Sequence, residues 1–510
     1  MSPGITVVGL GPGGAELWTT AARHILLSAP EVWLRTARHP GVEVLADEIA
    51  GPTSDHHGSA GGRVHSFDAW YDEADDFPSL YERIAERVLE LGRRPQGVVY
   101  AVPGHPMIGE ASVQRLRVLA AQAGLALTIV PGLSFIEPTL TALGLDPLAE
   151  GLQIADADTL AARLHPPLDP DRPALVAQLY NRRQAAQVKL TLMSSYPDEH
   201  PVALVQAAGT ERQQVVNCLL YELDRQPQVD HLTTLYVPAL PQPGGLPSLQ
   251  ETVARLRAPG GCPWDREQTH QTLRPYLLEE TYEALAALDA GDHRALAEEL
   301  GDLLLQIALH AQIASEESEF KMVDVIASID AKLRRRHPHV FANLSVSGVS
   351  EVLSNWQAIK KAERAQANAE DGAEKPSEAV RSSVLDGVPQ AMPALARAQA
   401  ISTRAVRVGF EWPTLEGVLD KLVEEAREVA AAETPEEREA EIGDVLFVVV
   451  NLARWLGVDA ESALRATNER FCRRFRVLEQ LAEQRQLRLG DLDIRALDAL
   501  WDEAKQLCER

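Results

Sequence analysis

Positive charge is in short supply in this chain. It carries 49 Lys and Arg against 74 Asp and Glu, a formal net charge of −25. So acidic a surface argues against a nucleic-acid partner, because neutralising backbone phosphates takes Lys and Arg in excess. A small triphosphate that arrives with a cation is still allowed. Cysteine is also sparse: Cys218, Cys262, Cys472 and Cys508 are the whole set, none at metal-knuckle spacing. Their number argues against a disulfide framework and for reduced thiols in a cytoplasm. Long apolar runs are missing as well. None reaches the roughly 20 residues that a membrane span needs, so no membrane partner is expected. The N-terminal Ile5-Thr6-Val7-Val8-Gly9 reads as a first strand and not as a signal peptide. What is present is 45% hydrophobic residues over 510 positions, enough for several cores and about three domains.

The fold class follows from a change of pattern near residue 240. Before it, short apolar runs at 5–8, 98–102, 127–130, 174–179, 202–206 and 235–237 read as strands. Helical patterns at 20–27, 80–91 and 111–123 stand between them. Such alternation predicts an α/β domain over 1–240. Residues 241–250, within a run rich in proline and glycine, read as a linker. From there to Arg510 the pattern is helical, with repeats at 251–365 and 385–510 and a connector at 366–384, where Ala362 to Pro376 lacks a clear apolar stripe. The architecture expected is therefore multidomain: an α/β domain, then two all-α helical bundle repeats.

Three loops in the first domain join glycine to proline after a strand. They are Gly9-Leu10-Gly11-Pro12-Gly13-Gly14, Pro103-Gly104-His105-Pro106 and Pro131-Gly132-Leu133-Ser134. Loops at the carboxyl edge of an α/β sheet are where ligands bind, and glycine lets backbone come close to them. Gly9, Gly11 and Gly14 also match a dinucleotide fingerprint in form, with Glu31 as the ribose-binding acid. Pro12 removes a donor, however, and Glu31 precedes its strand. His56-His57 lies in a Gly/Ser/Asp-rich stretch and reads as a solvated loop. Taken together, the three loops resemble the tetrapyrrole (corrin/porphyrin) methylase family over about 3–238. Ala207-Ala208-Gly209-Thr210 fits that family's late strand and turn. The family usually has Gly-Asp-Pro where this chain has Gly104-His105-Pro106. The resemblance implies an S-adenosylmethionine site at Gly9, Gly11, Gly13, Pro103, Gly104, His105, Pro131 and Gly132.

The richest signal is acidic. Glu280 and Glu283, then Glu299 and Asp302, are spaced i,i+3, so each pair shares a helix face. Ala290-Gly291-Asp292-His293 breaks the pattern, which folds the two helices back on each other. The arrangement recurs as Glu425 and Glu428, 145 residues on, and as Glu441 and Asp444, 142 residues on. Two constant offsets differing by three mean a duplicated unit with a shortened turn. One such pair on a helix is ordinarily a solvated face. Four acids in register, twice, beside the apolar runs that Asp302 and Asp444 open, call for a cation. Four oxygens without His or Cys suit Mg²⁺ or Mn²⁺ and not Zn²⁺.

Further polar residues repeat in register. Asp330 matches Asn468, Lys332 matches Arg470, Arg335 matches Arg473 and Arg336 matches Arg474. Their cations suit outer phosphates, to which Arg binds in bidentate fashion. Trp356 and Lys360 match Trp501 and Lys505, a Trp-x-x-x-Lys on one face. Trp can stack on a base, and Lys one turn away can reach a phosphate.

These residues bring the second half to a family. Gly261-Cys262-Pro263-Trp264-Asp265, Leu278-Glu279-Glu280-Thr281-Tyr282-Glu283, Glu299-Leu300-Gly301-Asp302 and Arg335-Arg336-His337-Pro338-His339-Val340-Phe341 closely resemble the MazG nucleoside triphosphate pyrophosphohydrolases. Val408-Gly409-Phe410-Glu411-Trp412 and Asn451-Leu452-Ala453-Arg454 match its second repeat. The resemblance spans 248–510. It implies Mg²⁺-dependent hydrolysis of NTP or dNTP to the monophosphate and pyrophosphate, nucleotide-pool house-cleaning as the role, and a homodimer built through the bundles. The family pattern is Glu-Glu-x-x-Glu then Glu-Glu-x-x-Asp. The first repeat matches it with Glu279/Glu280/Glu283 and Glu298/Glu299/Asp302; the second has Ala440 in place of one Glu. The family's active repeat also carries a Lys four residues before its first metal-binding Glu. The second repeat keeps it as Lys421, where the first has Tyr276. We expect the second repeat to turn over, since a phosphate-binding Lys is harder to replace than a flanking Glu. The competing reading makes the methylase half the active one and the helical half an oligomerisation module.

Overall fold

The structure is a computed structural model that describes residues 3–42, 44–45, 63–74, 76–342, 344–370 and 383–509. The His56-His57 pair and the Lys360 side chain lie outside what is described. Contacts divide the chain into two compact units, Met1–Leu273 with Leu305–Glu319, and Arg274–Leu304 with Phe320–Arg510.

The first unit opens with five parallel strands in the order β3-β2-β4-β1-β5. They are β1 (Ile5–Gly9), β2 (Val32–Leu34), β3 (Val64–Ser66), β4 (Val98–Val102) and β5 (Leu127–Val130). Every residue of β4 is buried, as in a strand covered on both faces. Alternation sends Val7, Tyr100 and Val102 to one face, against Leu80, Ile84 and Val88 of the helix Phe77–Gly92. Val8, Val99 and Ala101 go to the other, against Leu26 of the helix Thr20–Ser28. A second sheet follows in the order β6-β7-β10-β8-β9. Its strands are β6 (Gln153–Asp156), β7 (Ala174–Ala177), β8 (Pro201–Gln206), β9 (Gln214–Leu219) and β10 (Thr233–Val237). Here β6 and β7 run parallel and the other pairs antiparallel.

The proline-rich run is less of a linker than its composition predicts. A helix, α1 (Leu246–Arg257), starts inside it, with Gly245 as cap and proline in the first turn, where no backbone donor is needed. The Asp171 carboxylate accepts from the amides of Gly244 at 2.7 Å and Gly245 at 2.9 Å, which pins the run in place.

The long helices that follow are α2 (Arg274–Ala290), α3 (His293–Glu316), α4 (Met322–Arg336), α5 (Val349–Glu370), α6 (Ala394–Val406), α7 (Leu415–Ala431), α8 (Pro435–Trp455), α9 (Ala460–Gln484) and α10 (Ile494–Cys508). By sequence register, α1–α5 correspond to α6–α10. Helix α5 runs to Glu370, five residues into the stretch read as connector, because Ala, Glu and Gln are good helix formers. The expected shortened turn is corrected. Seven residues follow Glu283 to the end of α2, but only three follow Glu428 to the end of α7. The turn itself lengthens, from Gly291-Asp292 to Ala432-Glu433-Thr434. The repeat thus lost one turn of helix and gained one residue of loop. Thr434 closes that loop by capping α8 in a reciprocal box with Glu437. No helix among the described residues is long and apolar enough to cross a membrane.

Candidate functional site

The acids meet as their spacing requires. In the first repeat, carboxylate oxygens of Glu280, Glu283 and Glu299 all lie within 4.8 Å of one another; in the second, those of Glu425, Glu441 and Asp444 do. Asp302 and Glu428 complete the two nests electrostatically. Burial, then Asp302 and Glu283, pushes the Glu280 carboxyl above its ordinary value. Burial, then Glu283 and Asp302, does the same to Glu299. Glu428 is raised by burial and then by Glu425. Clustered carboxylates that resist ionising are what a cation would relieve.

The nests differ in one respect. Lys421 reaches Glu424 and Glu425, each at 2.8 Å, and Glu425 is buried. Those two acids, Glu424 first, raise the Lys421 pKa, so its charge is secure. The first repeat has Tyr276 at that place. A glycine precedes each terminal acid, Gly301 before Asp302 and Gly443 before Asp444. Open space stands where either would carry a Cβ. A helix-interior glycine costs about 1 kcal/mol relative to alanine, so room beside the acids is kept at an expense.

The other cations expected at phosphate are engaged elsewhere. Arg336 and Arg335 both hold Glu363, each at 2.7 Å, and together, Arg336 foremost, they depress its carboxyl to about 2. Arg474 pairs with Glu509 at 2.8 Å, Arg470 donates to Thr467 Oγ1 at 2.9 Å, and Lys505 pairs with Asp502 at 3.0 Å. Lys332 is half-buried on α4. Trp501 packs on the cluster of Leu478, Leu481, Ala482, Leu500 and Ala504 and lies 5.0 Å from Phe471, so its ring is largely spent on the core. Trp356 meets His337 edge-on at 4.9 Å. Sequence reasoning missed a polar brace behind the second nest. Arg454 reaches Glu411 at 2.7 Å and Ser402 Oγ at 2.8 Å, Trp455 Nε1 donates to Glu411 at 2.9 Å, and the Ser402 hydroxyl meets Asn451 Oδ1. It ties α6, α8 and the Gly409–Trp412 turn together, and three of its members, Glu411, Asn451 and Arg454, stood in the quoted motifs.

In the first unit the three glycine loops touch. A Cβ on Gly9 would lie 2.6 Å from Gly104 O, 2.7 Å from Gly132 N and 2.8 Å from Pro106 Cδ. Gly11 and Gly104 exchange backbone hydrogen bonds, and both have positive φ, which glycine adopts without strain. A Cβ on Gly13 would strike Gly209 O at 2.4 Å, which brings the late turn to the same place. Beyond these loops, the His105 ring takes the amide of Met107 at 3.0 Å, Pro103 leads into the Gly104 turn and Pro131 accepts from Thr19 Oγ1 at 3.2 Å. Buried His39, which no motif flagged, bonds Gly11 O through Nε2 at 2.9 Å and receives Gly41 N on Nδ1 at 3.2 Å. Because Nδ1 accepts the Gly41 amide, the ring's proton sits on Nε2, and burial lowers the ring's pKa. Glu31 is taken by Arg94 at 2.7 Å and Trp33 Nε1 at 2.8 Å, which removes the ribose role from it.

Comparison with known proteins agrees with this division. The model of the Tetrapyrrole (Corrin/Porphyrin) Methylases matches residues 4–224. That of the MazG nucleotide pyrophosphohydrolase domain matches 268–341 and 414–476. The YabN protein of Bacillus subtilis (strain 168) is 38% identical over 514 residues, 99% of each chain. The nucleoside triphosphate pyrophosphohydrolase of Escherichia coli (strain K12) is 46% identical over 49% of this chain and 94% of its own. The nucleoside triphosphate pyrophosphohydrolase/pyrophosphatase MazG of Thermotoga maritima is 43% identical over 50% of this chain and 94% of its own. Among solved structures, a uroporphyrin-III-C-methyltransferase from Thermus thermophilus shares 24% identity, with a TM-score of 0.36 over 46% of this chain and 94% of that one.

Proposed function

The chain belongs to the MazG nucleotide pyrophosphohydrolase family, with a tetrapyrrole methylase domain ahead of the helical repeats; from that premise, we propose that it hydrolyses nucleoside and deoxynucleoside triphosphates to monophosphate and pyrophosphate with Mg²⁺, chiefly at the second repeat. The observation that carries the reading is the convergence of three carboxylate oxygens within 4.8 Å in each repeat. An all-oxygen set, with carboxyls pushed upward by burial and by one another, fits a hard divalent ion. Glu425, Glu428, Glu441 and Asp444 would hold it in the second repeat; Glu280, Glu283, Glu299 and Asp302 would in the first. When bound, such an ion screens phosphate oxygens and acidifies water.

The chain's own groups do the rest. A carboxylate of the second nest that is not holding the ion takes the proton of the attacking water. The water oxygen bonds the α-phosphorus, and the bond from that phosphorus to the bridging oxygen breaks. Lys421, half-exposed, exchanges its carboxylates for a phosphate oxygen and neutralises the leaving pyrophosphate. A second copy covers apolar side chains that the helical repeats leave exposed, among them Leu278, Leu300, Leu446 and Phe471. The test is pyrophosphate release from each NTP and dNTP with Mg²⁺, on the natural chain, Asp302→Ala and Asp444→Ala. We expect the larger loss in Asp444→Ala. Orthophosphate as the product rejects the reading.

A second reading concerns the first unit. The convergence of Gly9, Gly104 and Gly132 supports an S-adenosylmethionine site there. Calorimetry with S-adenosylmethionine tests it, and absence of heat overturns it.

A further inference from the structure

A separate cluster of metal-ligating groups lies in the first unit. His270 sits in the turn after the short helix Pro263–Glu267. A nitrogen of its ring lies within 4.8 Å of carboxylate oxygens of both Glu317 and Glu319. Those two follow the end of α3 on a tight turn, in which Ser318 has φ 62° and Glu319 N returns to Ala314 O at 2.9 Å. A left-handed serine costs about 1 kcal/mol or more, and the turn it makes sets Glu317 and Glu319 beside one ring.

The end of α3 gathers carboxylates. A helix carboxyl end carries partial negative charge and favours cations, yet two carboxylates are set there. Glu316 has its own cation, Arg257 at 2.8 Å, with help from Gln312 Nε2 at 3.0 Å. Among the described residues, neither Glu317 nor Glu319 meets a Lys or Arg. Behind the ring, His270 Nδ1 lies 2.7 Å from His310 Nδ1, with the two imidazoles stacked at 5.0 Å and 7°. One of these nitrogens must donate and the other accept. His310, on α3, is held toward its neutral form by burial and by His270. If His270 is the donor, its Nε2 keeps a free lone pair. This is the arrangement of a metal-bound histidine, which commonly gives its other N–H to an orienting acceptor.

We propose that His270, Glu317 and Glu319 form a second cation site, nitrogen-containing and distinct from the two acidic nests, which takes a first-row transition ion of the Zn²⁺ type, with His310 as the positioning residue. One imidazole and two carboxylates make a donor set softer than the all-oxygen nests, so the two kinds of site sort ions by chemistry. The ion fastens the segment that leads into α2 to the end of α3. The geometry of this site is independent of the hydrolase reading; only the use of Mg²⁺ to fill the nests in its test rests on it.

The experiment is equilibrium dialysis of the full chain against Zn²⁺ in a large excess of Mg²⁺, which occupies the nests. The natural chain, His270→Gln, the exposed pair Glu317→Gln/Glu319→Gln, and His310→Gln are compared. One equivalent of Zn²⁺ should be lost from each of the first two variants. His310→Gln should keep the equivalent with about 10- to 100-fold weaker affinity. Full Zn²⁺ stoichiometry and affinity in His270→Gln overturns the proposal. So does loss in His270→Gln with none in the glutamine pair, which sits on an exposed turn and leaves the fold intact.

Discussion

Replacing Glu280 by Gln should stabilise the metal-free protein, while the matching change at Glu425 should not. The sign comes from what each carboxylate faces. Glu280 has Glu283 and Glu299 within 4.8 Å, and no Lys on its own helix at the place of Lys421. For Glu280, one like-charge contact at that distance costs about 0.9 kcal/mol at the dielectric of water, the appropriate limit for a partly exposed side chain. A gain of that size moves a melting temperature by roughly 2–4 °C in a domain of this size. Glu425 instead accepts Lys421 at 2.8 Å with only 7% of its side chain exposed. Its neutralisation breaks a pair and lowers the melting temperature. Magnesium then reverses the order. At one hundred times the dissociation constant, an ion that binds only the folded chain adds about 2.7 kcal/mol. The natural protein should gain that from its first nest, and Glu280→Gln should lose most of it. Thermal scans of the natural chain and both variants, in chelator and in Mg²⁺, make the measurement. If Glu280→Gln melts below the natural chain in chelator, the first nest is not an assembly of unrelieved like charges, and the reasoning is refuted.

The remaining predictions are briefer. Gly9→Ala should cost about 1–3 kcal/mol by overpacking, since its methyl has backbone on two sides, and should abolish heat with S-adenosylmethionine; urea titration and calorimetry read both, and a silent variant rejects the loop convergence. Glu363→Gln tests the Arg335–Arg336 clamp. Its folded pKa, about 2, lies below the ordinary 4.5, so its contribution is complete above pH 4.5 and lost as pH falls through 2. The melting gap between Glu363→Gln and the natural chain should hold constant from pH 7 to 5 and close toward pH 2. Lys421→Met should raise KM for triphosphate and lower the pyrophosphate rate; an unchanged KM would remove Lys421 from the phosphate site.

What could be read beforehand depended on whether periodicity or long-range pairing decided the outcome. The acids were legible because i,i+3 spacing fixes a helix face without any knowledge of neighbours, and duplication supplied a second witness. Strands β4 and β5 were legible to the residue, as apolar runs bounded by turns. Strands β2 and β3 were missed: three residues each, with Val64-His65-Ser66 barely apolar, they are strands only because the sheet beside them is. Polar β9 was missed likewise, since its pattern shows only against β8. The cations fared worst. Arg336, Arg474 and Lys505 were read as free hands for phosphate, yet each closes on a carboxylate: Arg336 and Arg474 on acids that no local pattern connects to them, Lys505 on Asp502 one helical turn away. Gly301 was quoted as a letter in a motif and Gly443 not at all; the empty space beside each emerges only in three dimensions.

The unequal hairpins have a bearing on how such a protein tolerates change. A whole coil of α7 is gone beyond Glu428, yet Glu425 still meets Glu441 and Asp444. Length was therefore shed at the tip, between the acids of α7 and those of α8, and the tip was free to vary. The stretch from Ala431 to Pro435 is accordingly where a foreign peptide, a fluorophore tag or a whole inserted domain should be accepted with the acids still in register.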